Sequence, residues 1–307
     1  MLMTFFIIMF ISFILIKLLP ITINLAPGQE RQLLEERIRA RGYYDPIMVQ
    51  LFHYVKRIVL HWDWGIGVNM PELREAPVWP AFVKRLPPTM LINVYSSLFS
   101  VPLGLLLGIY AALRKNKWQD HTISTLVMVF VSVPSYVTAF LLQYFICFRL
   151  GWFPLTLAKG YDYFSWTMFK SMIPAVLAMS FGSIAGYCRF TRAELTEVLT
   201  GDYLLLARTK GLTKKQSIYR HALRNAMVPI FPSIIGEFIA VLSGSLIIEQ
   251  IFGIPGVGSM FLDSINSLDY DFYMLLSAFY TFIGLAAGIV IDISYGFIDP
   301  RIRMGAK

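Results

Sequence analysis

The chain has 307 residues, of which 56% are hydrophobic and only 15% charged, and its mean hydropathy is +0.60. Soluble domains carry roughly a quarter charged residues, so an ordinary soluble protein is excluded. The net charge of +8 gathers largely in short loops between apolar runs. It is a topology signal rather than a nucleic-acid footprint, and no nucleic-acid partner is expected.

Several runs reach the ~20 residues that cross a bilayer as a helix. Backbone groups in lipid must be paired within the chain, and the runs are continuous rather than alternating, so helices are expected and a β-barrel is not. The expected fold is an all-α membrane protein with six transmembrane helices, near 2–23, 89–113, 122–148, 171–188, 228–250 and 272–297. Three regions follow: a first transmembrane helix over 1–25, an extracytoplasmic helical cap over 26–88, and a five-helix core over 89–307.

The first run lacks a basic leader and a small-x-small cleavage pattern, which points to a retained helix rather than a signal peptide. In the cap, 30–41 is a charged helical run. Over 46–60, Ile47, Leu51, Tyr54, Val55 and Ile58 fall near one helical face. Trp62 and Trp64 suit a membrane interface. His53 and His61 offer too few ligands for a metal site, and none is expected. Cys147 and Cys188 sit near the ends of apolar runs and read as small buried hydrophobes, not a disulfide.

Loop charge sets the orientation. Arg114, Lys115 and Lys117 follow the second run. Arg189, Arg192, Arg208, Lys210, Lys214, Lys215, Arg220 and Arg224 follow the fourth, and Arg301, Arg303 and Lys307 close the chain. The positive-inside rule places all three groups, and with six spans both termini, in the cytoplasm.

The basic loop over 189–227 holds more than charge. Asp202 is placed to cap a short helix. Gly211 suits the left-handed residue that ends it. Thr213 with Gln216 spells a capping box for a second helix. Leu204, Leu205 and Ala207, then Ile218, Ala222 and Ala226, form apolar stripes. They suit either docking onto another protein or packing against the chain's own helix ends. After the fifth run, Gly253, Pro255, Gly256 and Gly258 cannot continue a helix and predict a bent elbow, which is either an ordinary loop or an outer gate. Charges inside apolar runs are costly. Glu237 therefore faces a wet pathway or a structural partner, and Asp292 and Glu249 are expected in structural pairs or in hydrogen bonds between helices. No Gly-x-x-x-x-Gly-Lys-[Ser/Thr] motif occurs, so the chain has no P-loop of its own.

The segments Asp202-Tyr203, Ala207-Arg208-Thr209-Lys210-Gly211-Leu212 and Arg220-His221-Ala222-Leu223-Arg224-Asn225-Ala226 resemble the coupling loop of bacterial ABC importer permeases of the oligopeptide/dipeptide (peptide/nickel) branch. Leu205-Leu206-Ala207 stands where the wider family has Glu-Ala-Ala. Leu25-Ala26-Pro27-Gly28, Arg85-Leu86-Pro87-Pro88-Thr89, Asn116 to Asp120, Ser132-Val133-Pro134-Ser135, Ile248 to Gly258 and Asp299-Pro300-Arg301 are similar to further segments of that family.

The resemblance implies a type I importer permease fold and a heterodimer with a second homologous permease. It also implies two cytoplasmic ATPase subunits carrying ATP and Mg, an extracellular or periplasmic peptide-binding protein, and a membrane-lipid surround. No cofactor is implied for this chain itself, nor any enzymatic activity of its own. Asp202, Tyr203, Leu206, Ala207, Arg208, Lys210, Gly211 and Leu212 would meet the ATPase. Glu249, Phe252, Gly253, Pro255, Gly256 and Gly258 would form the outer gate or binding-protein lip, and Glu237 would lie on the translocation path. Import of nickel or another metal chelate, and ion-coupled secondary transport through Glu237 and Asp292, are the alternative readings.

Overall fold

The structure is a computed structural model that describes residues 1–20, 23, 28–160 and 162–298, except the side chains of Gln29, Tyr203 and Leu205. The Ala-Pro step at 25–27, Asp299-Pro300-Arg301 and the rest of the basic tail lie outside the described residues. The chain is helical almost throughout. Among the described residues, its only β pairing is one antiparallel bridge between Ile66 and Pro77.

The outer helices are α1 (Leu2–Lys17), α2 (Gln29–Ala40) and α3 (Ile47–His61). The long middle is α4 (Val78–Leu113), α5 (Trp118–Ser132), α6 (Ser135–Leu142) and α7 (Trp166–Leu199). Then come α8 (Asp202–Thr209), α9 (Lys214–Ser217), α10 (Leu223–Ala240), α11 (Leu246–Ile251), α12 (Val257–Asn266) and α13 (Tyr270–Ile298).

Among the described residues, α4, α7 and α13 are each long and apolar enough to cross a membrane, and the α5–α6 arm makes a fourth if its two parts count as one span. The bend in that arm is chemical. Val133 precedes Pro134, whose ring forbids it helical geometry, and it sits extended at φ −85, ψ 121. The two halves meet at 98°.

Three sequence expectations need correction. The run over 228–250 is not one helix. It breaks at the small, poor helix formers Ser243, Gly244 and Ser245, where Gly244 is left-handed at φ +66, so α10 and α11 are separate. Helix α4 starts at Val78, so the Arg85–Thr89 segment expected ahead of a helix lies within it; buried Phe82 and Thr89 hold the stretch that contains Pro87 and Pro88. Helix α7 does not stop near 188. It runs through 34 residues, about 51 Å at 1.5 Å per residue, well past a hydrocarbon core of ~30 Å.

The chain divides into two compact units: 1–89 with 243–249 and 255–285, and 90–242 with 250–254 and 286–307. In the first, Phe13, Leu34, Ile38, Tyr43, Tyr54 and Met274 share one core, and Val78, Phe82, Val257, Met260 and Phe272 another. Two carboxylates at the start of α13 pin the 65–70 loop. Asp269 Oδ2 accepts the N–H groups of Val68, Asn69 and Met70 at 2.7, 2.8 and 3.2 Å. Burial nevertheless pushes its carboxyl up to about 6. Asp271 accepts the Tyr43 hydroxyl and the Ile66 N–H, and Lys17 Nζ stands 4.0 Å from the Tyr43 ring centre.

In the second unit, α7 is tied to the start of α5 by a two-pronged ion pair. Arg192 Nε and Nη2 donate to Asp120 at 2.5 and 2.8 Å. The Asp120 side chain is 2% exposed, and its Oδ2 also accepts the Asn116 N–H. Removing one member of such a pair leaves the other unpaired. Asp120→Ala is expected to cost on the order of 3 kcal/mol and to lower the melting temperature of the purified protein clearly more than Ser124→Ala, whose bond to Asp120 is 3.4 Å long.

Candidate coupling surface and elbow

The segment from Gly201 to Ser217 is two short helices with a stiff joint. Asp202 does not cap the first. Gly201 takes the flanking position and no side-chain cap bond forms. Asp202 is instead the first helical residue, where its charge favours the positive end of the peptide dipoles. The far end follows expectation. Gly211 is left-handed at φ +91. Its N–H reaches Arg208 O at 3.0 Å, and the Leu212 N–H reaches Ala207 O at 3.4 Å, the paired bonds of a Schellman stop. A Cβ at Gly211 would meet nothing within 4 Å, so the glycine is required by the backbone and not by space. Thr213 and Gln216 complete the reciprocal box at 3.0 and 3.3 Å.

Apart from Leu205, whose side chain lies outside the described residues, the apolar stripes pack inward. Leu204, Ala222 and Ala226 are buried with Ala112 of α4 and Leu195 of α7, and Ala207 and Ile218 are buried too. The packing of these residues on the chain's own helices therefore accounts for the stripes. What faces outward is Asp202, Leu206, Arg208, Thr209, Lys210 and Gly211, followed by Thr213 to Gln216. Leu206, 56% exposed, is an apolar knob among charges. Beside it, a cavity of about 310 Å³ is lined by Thr200, Asp202, Arg208 and Lys214 among others. Of the expected contact set, Ala207 is internal and Leu212 half-buried. The Tyr203 side chain lies outside the described residues.

The elbow is largely interior. Glu249 is 3% exposed and Phe252 1%; Gly256 and Gly258 are buried, and only Gly253 and Pro255 face outward. Glu249 Oε1 accepts the Thr89 hydroxyl at 2.9 Å, and Oε2 accepts the Ser259 N–H at 2.8 Å. Thr89 Oγ1 in turn accepts the Val257 N–H at 2.9 Å. Gly244, Gly256 and Gly258 crowd this carboxylate: a Cβ on Gly256 would collide with Glu249 Oε2 and Thr89 Oγ1. Residues 250–254 are held separately. Gln143 Nε2 donates to Ile251 O at 2.7 Å, and the Leu157 N–H to Phe252 O at 3.0 Å. Helix resumes at Val257, so Gly258 lies inside α12 and not in the bend. Ser259 makes this possible by bonding both backbone groups of Gly256.

Glu237 is half-buried on α10 and accepts the Ser183 hydroxyl of α7 at 3.0 Å. One helical turn along α7, the Tyr187 hydroxyl donates to Ser233 O at 3.1 Å. Side chains added at Gly182 and Gly186 would meet nothing within 4 Å, so the adjoining face of α7 is open. Asp292 is exposed, and none of the ion pairs among the described residues includes it. Cys147 and Cys188 are buried free thiols. Among the described residues, no group of three or more His, Cys, Asp or Glu could hold a metal ion.

Sequence reasoning missed the two α13 carboxylates and the Asp120–Arg192 pair. The first had a usable signal, Asp269-Tyr270-Asp271 heading a long apolar run. The second needed contact between positions 72 apart in the chain, which no local pattern encodes.

Three or four apolar helices long enough to cross a membrane, among the described residues, mark an integral membrane protein. Residues 104–304 match the binding-protein-dependent transport system inner membrane component, and the chain belongs to that family. It is 34% identical to the dipeptide transport system permease protein DppB of Lactococcus lactis subsp. cremoris over 99% of its own length and 96% of the relative's. It is 32% identical to the oligopeptide transport system permease protein OppB of Salmonella typhimurium, over 95% and 94%. Among solved structures, an amino acid ABC transporter with histidines aligns at a TM-score of 0.53 and 20% identity, over 71% of this chain and 94% of that one. The inward-facing MetNI methionine ABC transporter aligns at 0.52 and 17%, over 70% and 97%. Both support the fold alone.

Two glycines should respond differently to substitution. Gly256→Ala should destabilise the folded protein, because the methyl has no room. Gly211→Asn should be tolerated far better than Gly211→Val, since Asn accepts left-handed geometry and β-branched Val does not. Melting temperatures of the three variants, with uptake measured in cells, check both expectations.

Proposed function

We propose that this chain is one of two homologous membrane subunits of an ATP-driven importer of oligopeptides. In this reading, the face formed by Asp202, Leu206, Arg208, Lys210 and Gly211 docks on an ATPase subunit. The observation that carries it is the stiff, doubly stopped helix pair whose inner side is anchored to α4, α7 and α10 while its outer side presents Leu206 among charges. A protrusion that must transmit force has to be rigid and fixed at its root. The names of the curated relatives support peptides as the cargo.

ATP and Mg would belong to two cytoplasmic ATPase subunits. Their closure on nucleotide would move the protrusion, turn the helices outward, and admit a peptide delivered by an extracellular or periplasmic binding protein. Hydrolysis would reset the cycle. The cytoplasmic side would hold both termini and the six-span count would apply, with the α5–α6 arm, α1 and α10–α11 completing the set. The exposed Gly253 and Pro255 would form the part of the elbow that the binding protein can touch. Glu237, with Ser183 and the open face of α7, would line the path.

Leu206→Asp tests the docking face with little risk to folding, because the side chain is mostly exposed. Expected is at least a tenfold loss of ATPase subunits co-purifying with the tagged chain, and loss of peptide uptake, at unchanged membrane abundance. Wild-type co-purification and uptake would remove this surface from the coupling role. Competition of labelled peptide uptake by unlabelled peptides, with nickel chelates as the control, tests the cargo.

A further inference from the structure

Helix α3 was expected to be amphipathic, and its surroundings are more specific than a structural cap needs. A groove of about 360 Å³ runs between α1 and α3, lined by Phe6, Met9 and Phe10 of α1, Val55 and Val59 of α3, and Met274 of α13. Phe6 is 64% and Val59 74% exposed, so no described residue covers them.

Buried polar groups stand beside it. The Tyr54 hydroxyl, the Trp64 indole N–H, and Nε and Nη1 of Arg57 have no hydrogen-bond partner among the described residues. Tyr54 and Trp64 both line the groove, and Tyr54 is 6% exposed. These atoms are shut off from the groove by their neighbours, so what the groove offers an occupant is apolar side chain.

Charge narrows the class. Helix α3 contains Lys56, Arg57, His53 and His61 and no Asp or Glu. Basic amphipathic helices of this kind bind anionic lipid surfaces. Trp62 packs edge-on against both Trp64 and Trp79, ring centres 5.8 and 5.1 Å apart, the aromatic signature of a membrane interface.

The lining is almost wholly apolar side chain, which suits an acyl chain, and the basic residues of α3 supply the charge that a phosphate would meet.

We propose that the α1–α3 groove is a binding site for an anionic phospholipid, with one acyl chain along Phe6, Met9, Val55 and Val59 and the headgroup phosphate at the basic edge of α3.

The test uses the complete transporter in phosphatidylcholine nanodiscs. They are doped with phosphatidylglycerol bearing a photoreactive diazirine on its acyl chain, or with the matching phosphatidylcholine probe at equal mole fraction. Labelled residues are mapped by peptide mass spectrometry. Phosphatidylglycerol should label α1 and α3 at least fivefold more than the phosphatidylcholine probe. Met9→Trp and Val55→Trp, which fill the groove from opposite walls, should each cut that label at least fivefold. Labelling near exposed Ile293 of α13 should stay constant, and elution as an intact complex confirms folding. Lys56→Gln should erase the preference for phosphatidylglycerol while leaving chain labelling in place. Equal labelling by both lipids, or labelling insensitive to both tryptophans, overturns the proposal. So does capture of the second permease subunit by a photoreactive residue placed at Phe6.

Discussion

The turn that follows α10 depends on one buried carboxylate. Glu249 binds a side chain of α4 and the first turn of α12 at once, and Thr89 closes the ring by accepting the Val257 N–H. A carboxylate out of water is tolerated only when its lone pairs are met. Here the Thr89 hydroxyl and the peptide N–H groups of Gly258 and Ser259 meet them, and the surrounding chain has to come very close to do so. That closeness explains the glycines: positions 244, 256 and 258 lie within reach of Glu249 because they lack a Cβ. The glycine-rich segment that looked like a flexible elbow is the wall of a tight polar cell.

The same logic recurs at Asp269, Asp271 and Asp120. In each case an acid at or near the start of a long helix gathers backbone N–H groups, a tyrosine or an arginine from a distant part of the chain. Apolar contacts in a membrane have little directional preference, since lipid solvates a leucine as well as another helix does. Buried polar contacts supply the register that greasy surfaces lack.

This division explains what could be read from the residues. Helical class, the helices over 29–40 and 47–61, the left-handed Gly211 and the Thr213–Gln216 box were legible, because each depends on residues within one or two turns. The start of α4, the break between α10 and α11, and the extension of α7 were not. Hydropathy marks where a chain is apolar but not where a helix stops. Distant partners such as Phe82, Glu249 and Asp120 set those limits. Of the candidate site, the protrusion's shape was readable and its facing was not. Only the packing of Leu204 and Ala207 shows that the greasy side is inward.

Helix α7 links remote ends of this design. The same 34-residue rod carries Ser183, bonded to Glu237, and Arg192, clamped to Asp120, and ends three residues before α8. Between Ser183 and Arg192 the helix has no break and no proline, so the two bonds are carried on one body and neither residue can shift without the other.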